Sequence, residues 1–290
     1  MNLNVFADGV QPLDMLATEE FASLTSSATD LSIPHGQVSR YVSRNLVVRQ
    51  HRFHLLEWGA EDAPELVMLH GGHQSCHSWD LVSLHFSDRF RVIAPDQRGH
   101  GDSEWARNSE YTTMEMATDA AAMIRGLDLK KPVVMGHSMG GRNTLVMALN
   151  NPGLARALVI VDVGPEISDE GRKTIGSFIR DNAEFDDLDH FVENVRRYDP
   201  YRSREHIERT VRYNLFKRAD GKFVSKCDRA PRRLGLHERA PVEPDAPERF
   251  VDALPNGKLV TVPECGHNVH SQNTVGFIDA VGEFLSELDD

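Results

Sequence analysis

Short apolar runs alternating with segments of helical period set the plan of this chain. Tyr41–Arg49 and His51–Trp58 read as two strands joined closely enough for a hairpin. In the second, Phe53, Leu55 and Glu57 point one way while His54, Leu56 and Trp58 point the other. Glu65–His70, Arg91–Asp96, Val133–Met135 and Ala157–Val163 read as buried strands. Between them Met116, Ala120, Met123, Ile124 and Leu127 recur at helical spacing. So do Leu145, Ala148 and Leu149, before Asn150-Asn151-Pro152-Gly153 stops the pattern. Strands alternating with helices in this way predict an α/β fold, a mainly parallel sheet with helices on both faces.

Three stretches depart from that rhythm. Residues 1–37 read as an N-terminal arm, with Leu13, Leu16, Phe21 and Leu24 on one side of a short helix. Residues 165–240 read as a helical cap inserted between core segments 38–164 and 241–290. Ile175, Phe178 and Ile179, then Leu188, Phe191, Val192 and Val195, then Ile207, Val211 and Leu215 mark its three amphipathic stretches. Residues 164–240 hold seventeen Lys or Arg against fifteen Asp or Glu, so a solvated charged surface fits better than a trap for anionic substrates. Lys226–Arg249 contains four prolines and no run of four apolar residues, which argues against a central buried strand there. Beyond it come a helix over 247–254, a last strand over Gly257–Pro263, and a final helix faced by Val275, Phe277, Ile278, Val281, Phe284, Leu285 and Leu288.

Composition narrows the class. At 290 residues there is room for one large α/β domain. A hydrophobic fraction of 40% and a charged fraction of 26% exclude a disordered or membrane-embedded chain. The net charge of −12 argues against nucleic acid or anionic membrane as partner. No apolar run is long enough for a membrane span, and the N-terminal residues lack the basic and apolar regions of a secretory signal, so a cytoplasmic location is expected. Cys76, Cys227 and Cys265 lack paired ligand spacing, which points away from a zinc site or disulfide framework; no metal or cofactor is expected.

The chemistry concentrates in Gly136-His137-Ser138-Met139-Gly140, which follows a strand and opens a helix. On such a turn the glycines remove side chains that would clash, Ser138 presents its hydroxyl above the sheet edge, and the Met139 amide at the helix N-terminus faces an oxyanion. His267 follows the last expected strand, at the edge where ligands gather in open α/β sheets.

Together with His70-Gly71-Gly72 and Asp96-Gln97-Arg98-Gly99-His100-Gly101-Asp102-Ser103, the elbow and Gly266-His267 closely resemble the α/β-hydrolase superfamily, in particular its capped, serine esterase-like members. The likeness covers roughly residues 40–288. It implies Ser138 as nucleophile and His267 as general base, with His137 and His270 as alternatives outside the matching position. It implies an oxyanion hole from the amides of Met139 and Gly72, or His73 in place of Gly72. His70 and His100 organise the neighbouring loops in this reading. Family members usually carry a further strand ending in an acidic loop between cap and last strand, and this sequence lacks it. Asp162, at the end of the sixth strand, is the leading substitute for the acid, with Glu243 and Asp245 behind it. The implied activity is cleavage of a small carboxylic ester or related acyl substrate, impaired if the acid is missing. The alternatives are C–C bond hydrolysis of a diketone-type substrate and noncatalytic binding of a small ligand.

Overall fold

The computed structural model describes residues 14–36, 40–163, 184–228, 248, 251, 252, 254 and 256–288. The predicted hairpin forms between β1 (Val42–Val48) and β2 (His51–Trp58). It turns through Arg49 and Gln50, whose positive φ of 52° and 57° gives the tight turn the twist that antiparallel strands need. With β3 (Glu65–Leu69), β4 (Arg91–Pro95), β5 (Val133–His137) and β6 (Ala157–Val161), it builds a six-stranded sheet in the order β1-β2-β4-β3-β5-β6. β3 runs parallel to β4 and β5, and β5 to β6, while β2 is antiparallel to both neighbours.

The helices, in chain order, are α1 (Asp14–Asp30), α2 (Asp80–Phe86), α3 (Thr113–Gly126), α4 (Met139–Asn150), α5 (Leu188–Tyr198), α6 (Arg204–Val211), α7 (Val269–Gln272) and α8 (Thr274–Glu287). The two-residue period of the strands splits the core. On one face Leu56, Trp58, Leu66 and Met68 pack with Phe21 and Leu24 of α1, Leu81 and Leu84 of α2, and Phe277, Ile278 and Val281 of α8. On the other Leu55, Val67, Leu69 and Ile93 pack with Ala117, Ala120 and Ile124 of α3 and Met147 of α4. Each large apolar side chain fully withdrawn from water contributes about 2 kcal/mol. α1 thereby fastens the stretch read as an arm to the core: Phe21, Leu24 and Ala28 are all buried.

Two expectations are corrected. Residues 257–262 form no strand, and Leu259 and Val260 stand about half exposed. Their apolar content reads as β, but a strand exists only where a neighbour takes up its amides and carbonyls. Among the described residues β6 pairs with β5 alone, and no strand lies between it and that segment. The cap is also not purely helical. α5 and α6 share a small core with a three-stranded sheet of β7 (Glu184–Phe185), β8 (Leu215–Lys217) and β9 (Phe223–Ser225), in the order β7-β9-β8. Leu215, read as the end of a helix, opens β8, because the chain reverses through Asp220 and Gly221 (φ 90°) into an antiparallel partner. Ile175, Phe178 and Ile179, and Lys226–Arg249 from residue 229 to 247, lie outside the described residues; Glu248, Val251 and Asp252 are helical.

Residues 184–228, the described part of the stretch read as a cap, meet the sheet-bearing part through buried polar contacts. Arg209 of α6 donates to Asp80 at 2.8 Å, and the Tyr213 ring stacks on His77 with centroids 3.5 Å apart. At the cap's return, Lys226 pairs with Asp102 at 2.6 Å and the Tyr111 hydroxyl donates to Asp228.

Candidate active site

β5 ends at His137, and the next residue, Ser138, takes φ 51° and ψ −111°. Few non-glycine residues sit there, and the surrounding packing holds the strain. A Cβ at Gly136 would strike the Gly140 carbonyl and Thr144, and one at Gly140 would strike the carbonyls of Leu69 and His70. Only glycine lets α4 start this close to β3 and β5. The Ser138 amide donates to the Val161 carbonyl at 3.0 Å, tying the turn to β6.

β5 and β6 are in register through His137 and Val161. Ser138 and Asp162 are therefore the next residues past one paired position, and Asp162 also has positive φ, 47°. His267 reaches into the space between them. Its Nε2 lies 3.1 Å from Ser138 Oγ and its Nδ1 2.5 Å from Asp162 Oδ2. With Nδ1–H donated to the carboxylate, Nε2 presents its lone pair to the hydroxyl, the tautomer that proton abstraction from Ser138 requires. The Asp162 side chain is 45% exposed and that of His267 29%, so the pair is reachable by water and screened by it.

Gly72 lies beside the helix start, where a Cβ built on it would be 4.0 Å from Met139 Sδ, and His73 follows with φ 64°. His70 fixes this loop. It donates from Nδ1 to the Gly71 carbonyl at 2.8 Å and accepts the Gln97 amide at Nε2, at 2.9 Å. Burial, with the nearby charge of His100 on protonation, pushes His70 down to about 4, so it stays neutral and keeps that pattern. The His100 ring lies beside it, tilted by 57° with centroids 5.3 Å apart, and faces Cys227 Sγ at 3.4 Å.

The other histidines weighed as bases lie elsewhere. His137 is buried, is pushed down to about 3 chiefly by desolvation, and bonds through Nε2 to the His267 carbonyl at 2.8 Å. His270 is buried between Trp79 and His137, and desolvation holds it well below the ordinary histidine range. Neither approaches Ser138 as His267 does. Glu243 and Asp245 lie outside the described residues.

Sequence reasoning missed Gln74, Asn268 and Gln272. Gln74 accepts the Gly71 amide and donates to Asn268, both at 2.9 Å, and Gln272 Oε1 accepts the amides of Gly266 and Asn268 at 2.7 and 3.2 Å. No spacing signal marks them: Gln74 and Gln272 accept main-chain amides three to six residues away, and the Gln74–Asn268 pair joins side chains 194 residues apart.

His54, Cys76 and Asp96 bring one possible metal-ligating atom each within 4.8 Å of one another. The cluster is better explained as a hydrogen-bonded keystone. Asp96 takes His54 Nδ1 at 2.7 Å and the amides of Cys76 and Asp102 at 2.7 and 2.9 Å, while His54 Nε2 lies 2.9 Å from Ser43 Oγ. Burial raises the Asp96 pKa, but the bond and charge of His54 outweigh it and hold the carboxyl well below the usual range.

Comparison with known proteins agrees with the fold. Residues 64–216 match the family model described as the alpha/beta hydrolase fold. An esterase of Mycobacterium tuberculosis is 28% identical over 224 residues, covering 74% of this chain and 72% of that protein. A mouse sn-1-specific diacylglycerol lipase is 27% identical over 263 residues, 81% of this chain and 84% of its own. The crystal structure of an E-2-(acetamidomethylene)succinate hydrolase superposes with a TM-score of 0.76 at 22% identity, over 85% of this chain and 99% of the other.

Proposed function

This chain belongs to the α/β-hydrolase family, and from that premise we propose that it cleaves a small carboxylic ester or related acyl substrate through an acyl-enzyme on Ser138. The observation that carries the proposal is the continuous pair of contacts Ser138 Oγ–His267 Nε2 at 3.1 Å and His267 Nδ1–Asp162 Oδ2 at 2.5 Å. His267 takes the hydroxyl proton as Ser138 Oγ attacks the acyl carbon. Asp162 holds the imidazolium and its tautomer. The amides of Met139 and Gly72 receive the developing oxyanion. His267 then protonates the leaving alcohol, and a water deprotonated by the same nitrogen releases the acid.

In this reading Asp162 serves as the acid in place of the usual loop, and its contact with His267 supports turnover without the missing segment. The names of the relatives support the class: an esterase and a lipase among proteins that this chain resembles over most of its length. The test is hydrolysis of a short activated aryl ester by the purified chain beside Ser138→Ala. Turnover that disappears with the hydroxyl supports the reading; equal turnover in both rejects it. Product analysis on a diketone separates C–C cleavage from ester cleavage.

A further inference from the structure

The segment leading into His267 makes no ladder with the sheet among the described residues, yet His267 is within hydrogen-bonding distance of both triad partners. Side chains hold it there. Gln272 Oε1 accepts the amides on either side, at Gly266 and Asn268. Asn273 Nδ2 donates to the Pro263 carbonyl at 2.8 Å. The carbonyl of His267 itself is taken by His137 Nε2–H at 2.8 Å.

That last bond differs from the others. Gln272 and Asn273 are close neighbours of the loop in sequence, so their contacts are local ones. His137 is the final residue of β5, adjacent to Ser138 and 130 positions from His267. We propose that His137 is a positioning residue of the triad: its Nε2–H locks the backbone of the general base to the backbone of the nucleophile, where a paired strand would otherwise do so. The inference rests on the serine-hydrolase reading above.

The surroundings suit the role. The ring is 1% exposed and lies between the rings of His267 and His270, with centroids 4.8 and 4.7 Å away. A carbonyl acceptor at Nε2 fixes the proton there, so Nδ1 keeps its lone pair. Nδ1 lies 3.3 Å from Gln74 Oε1, farther than Nε2 lies from the His267 carbonyl, so the shorter contact at Nε2 decides which nitrogen carries the proton. The ring stays neutral because of its burial, so the donor is in place throughout the working range of a histidine base. Gly71 leaves room for it, since a Cβ there would come within 2.6 Å of His137 Nδ1.

Glutamine places an N–H near the Nε2 position of histidine, whereas asparagine is too short and leucine has no donor. The experiment compares the full chain with His137→Gln, His137→Asn and His137→Leu, measuring kcat and KM on an activated aryl ester, with Ser138→Ala alongside. Each variant is first checked for cooperative urea unfolding. A displacement of the base by about 1 Å is worth on the order of 100-fold in rate. The expected result is kcat down by about 10- to 100-fold in His137→Asn and His137→Leu with KM nearly constant, and recovery of most of the rate in His137→Gln. A folded His137→Leu with wild-type kcat overturns the proposal. So does a His137→Gln that loses as much as His137→Leu, because the ring and not its N–H would then matter. If the leucine variant does not fold, the glutamine and asparagine pair alone decides in the same way. Absence of Ser138-dependent turnover in the wild-type chain would instead overturn the hydrolase reading, and this proposal with it.

Discussion

Asp162 Oδ2 and His267 Nδ1 meet at 2.5 Å across 105 residues of chain, and the contact joins the end of one strand to a loop that no strand supports among the described residues. Replacement of Asp162 by asparagine keeps the shape and removes the charge. It also offers an N–H where an acceptor is needed, favouring the wrong tautomer of His267. Turnover of an aryl ester by Asp162→Asn is expected to fall by about 1,000- to 10,000-fold with KM little altered. A loss under about tenfold would show that the exposed carboxylate contributes little.

Gly140→Ala tests the elbow. The added methyl meets the backbone carbonyls of Leu69 and His70, which cannot rotate aside as a side chain can. A destabilisation of about 1–3 kcal/mol in urea unfolding is expected. Slower labelling of Ser138 by a phosphonate probe should accompany it, because α4 must shift and carry the nucleophile with it.

Asp119 binds Arg98 through both oxygens, at 2.7 and 2.8 Å, and Arg49 at 2.6 Å, with its own side chain only 2% exposed. Asp119→Ala strands the buried Arg98 guanidinium of the Asp96–Ser103 turn. The expected cost is about 3–5 kcal/mol in the free energy of urea unfolding, well above that of an exposed pair such as Lys130–Asp128.

Acid should weaken the fold through its buried histidines. Burial lowers His70 from 6.5 to about 4 and His137 from 6.5 to about 3. As pH falls below 6.5 the unfolded chain takes up these protons first, so stability present above that value is lost progressively down through about 4 and 3. The urea midpoint, followed from roughly pH 7 to pH 4, should fall steadily. His137→Gln should flatten part of that slope; an unchanged slope would show that this ring contributes nothing to it.

The sheet was legible where periodicity was local. Val133–Met135 are apolar because they are buried, and Ala157–Val161 are apolar and mostly half-buried at the end of the strand order; the structure forms strands at both, the second ending at Val161. Ser138 was legible through its glycines, whose absence of side chains is a steric demand written in sequence. Asp162 was ambiguous because an acid after a strand serves equally well as a turn former, and only the approach of His267 separates the roles. Leu259 and Val260 misled because β pattern does not supply a pairing partner, and the β8–β9 reversal was hidden because Leu215 continues the helical spacing of Ile207 and Val211. The His137–His267 bond left no trace in either segment, since it joins a ring to a main-chain oxygen.

Ser138 and Asp162 stand one step beyond the matched pair His137 and Val161, each on a left-handed kink. The alignment of two adjacent parallel strands thus sets the spacing of the proposed nucleophile and acid, and both lie within the first 162 residues. Insertions, deletions or grafted loops between the cap and His267 can then reshape that flank without rebuilding the acid, provided the histidine still docks. For an engineer, this flank is the place to exchange sequence.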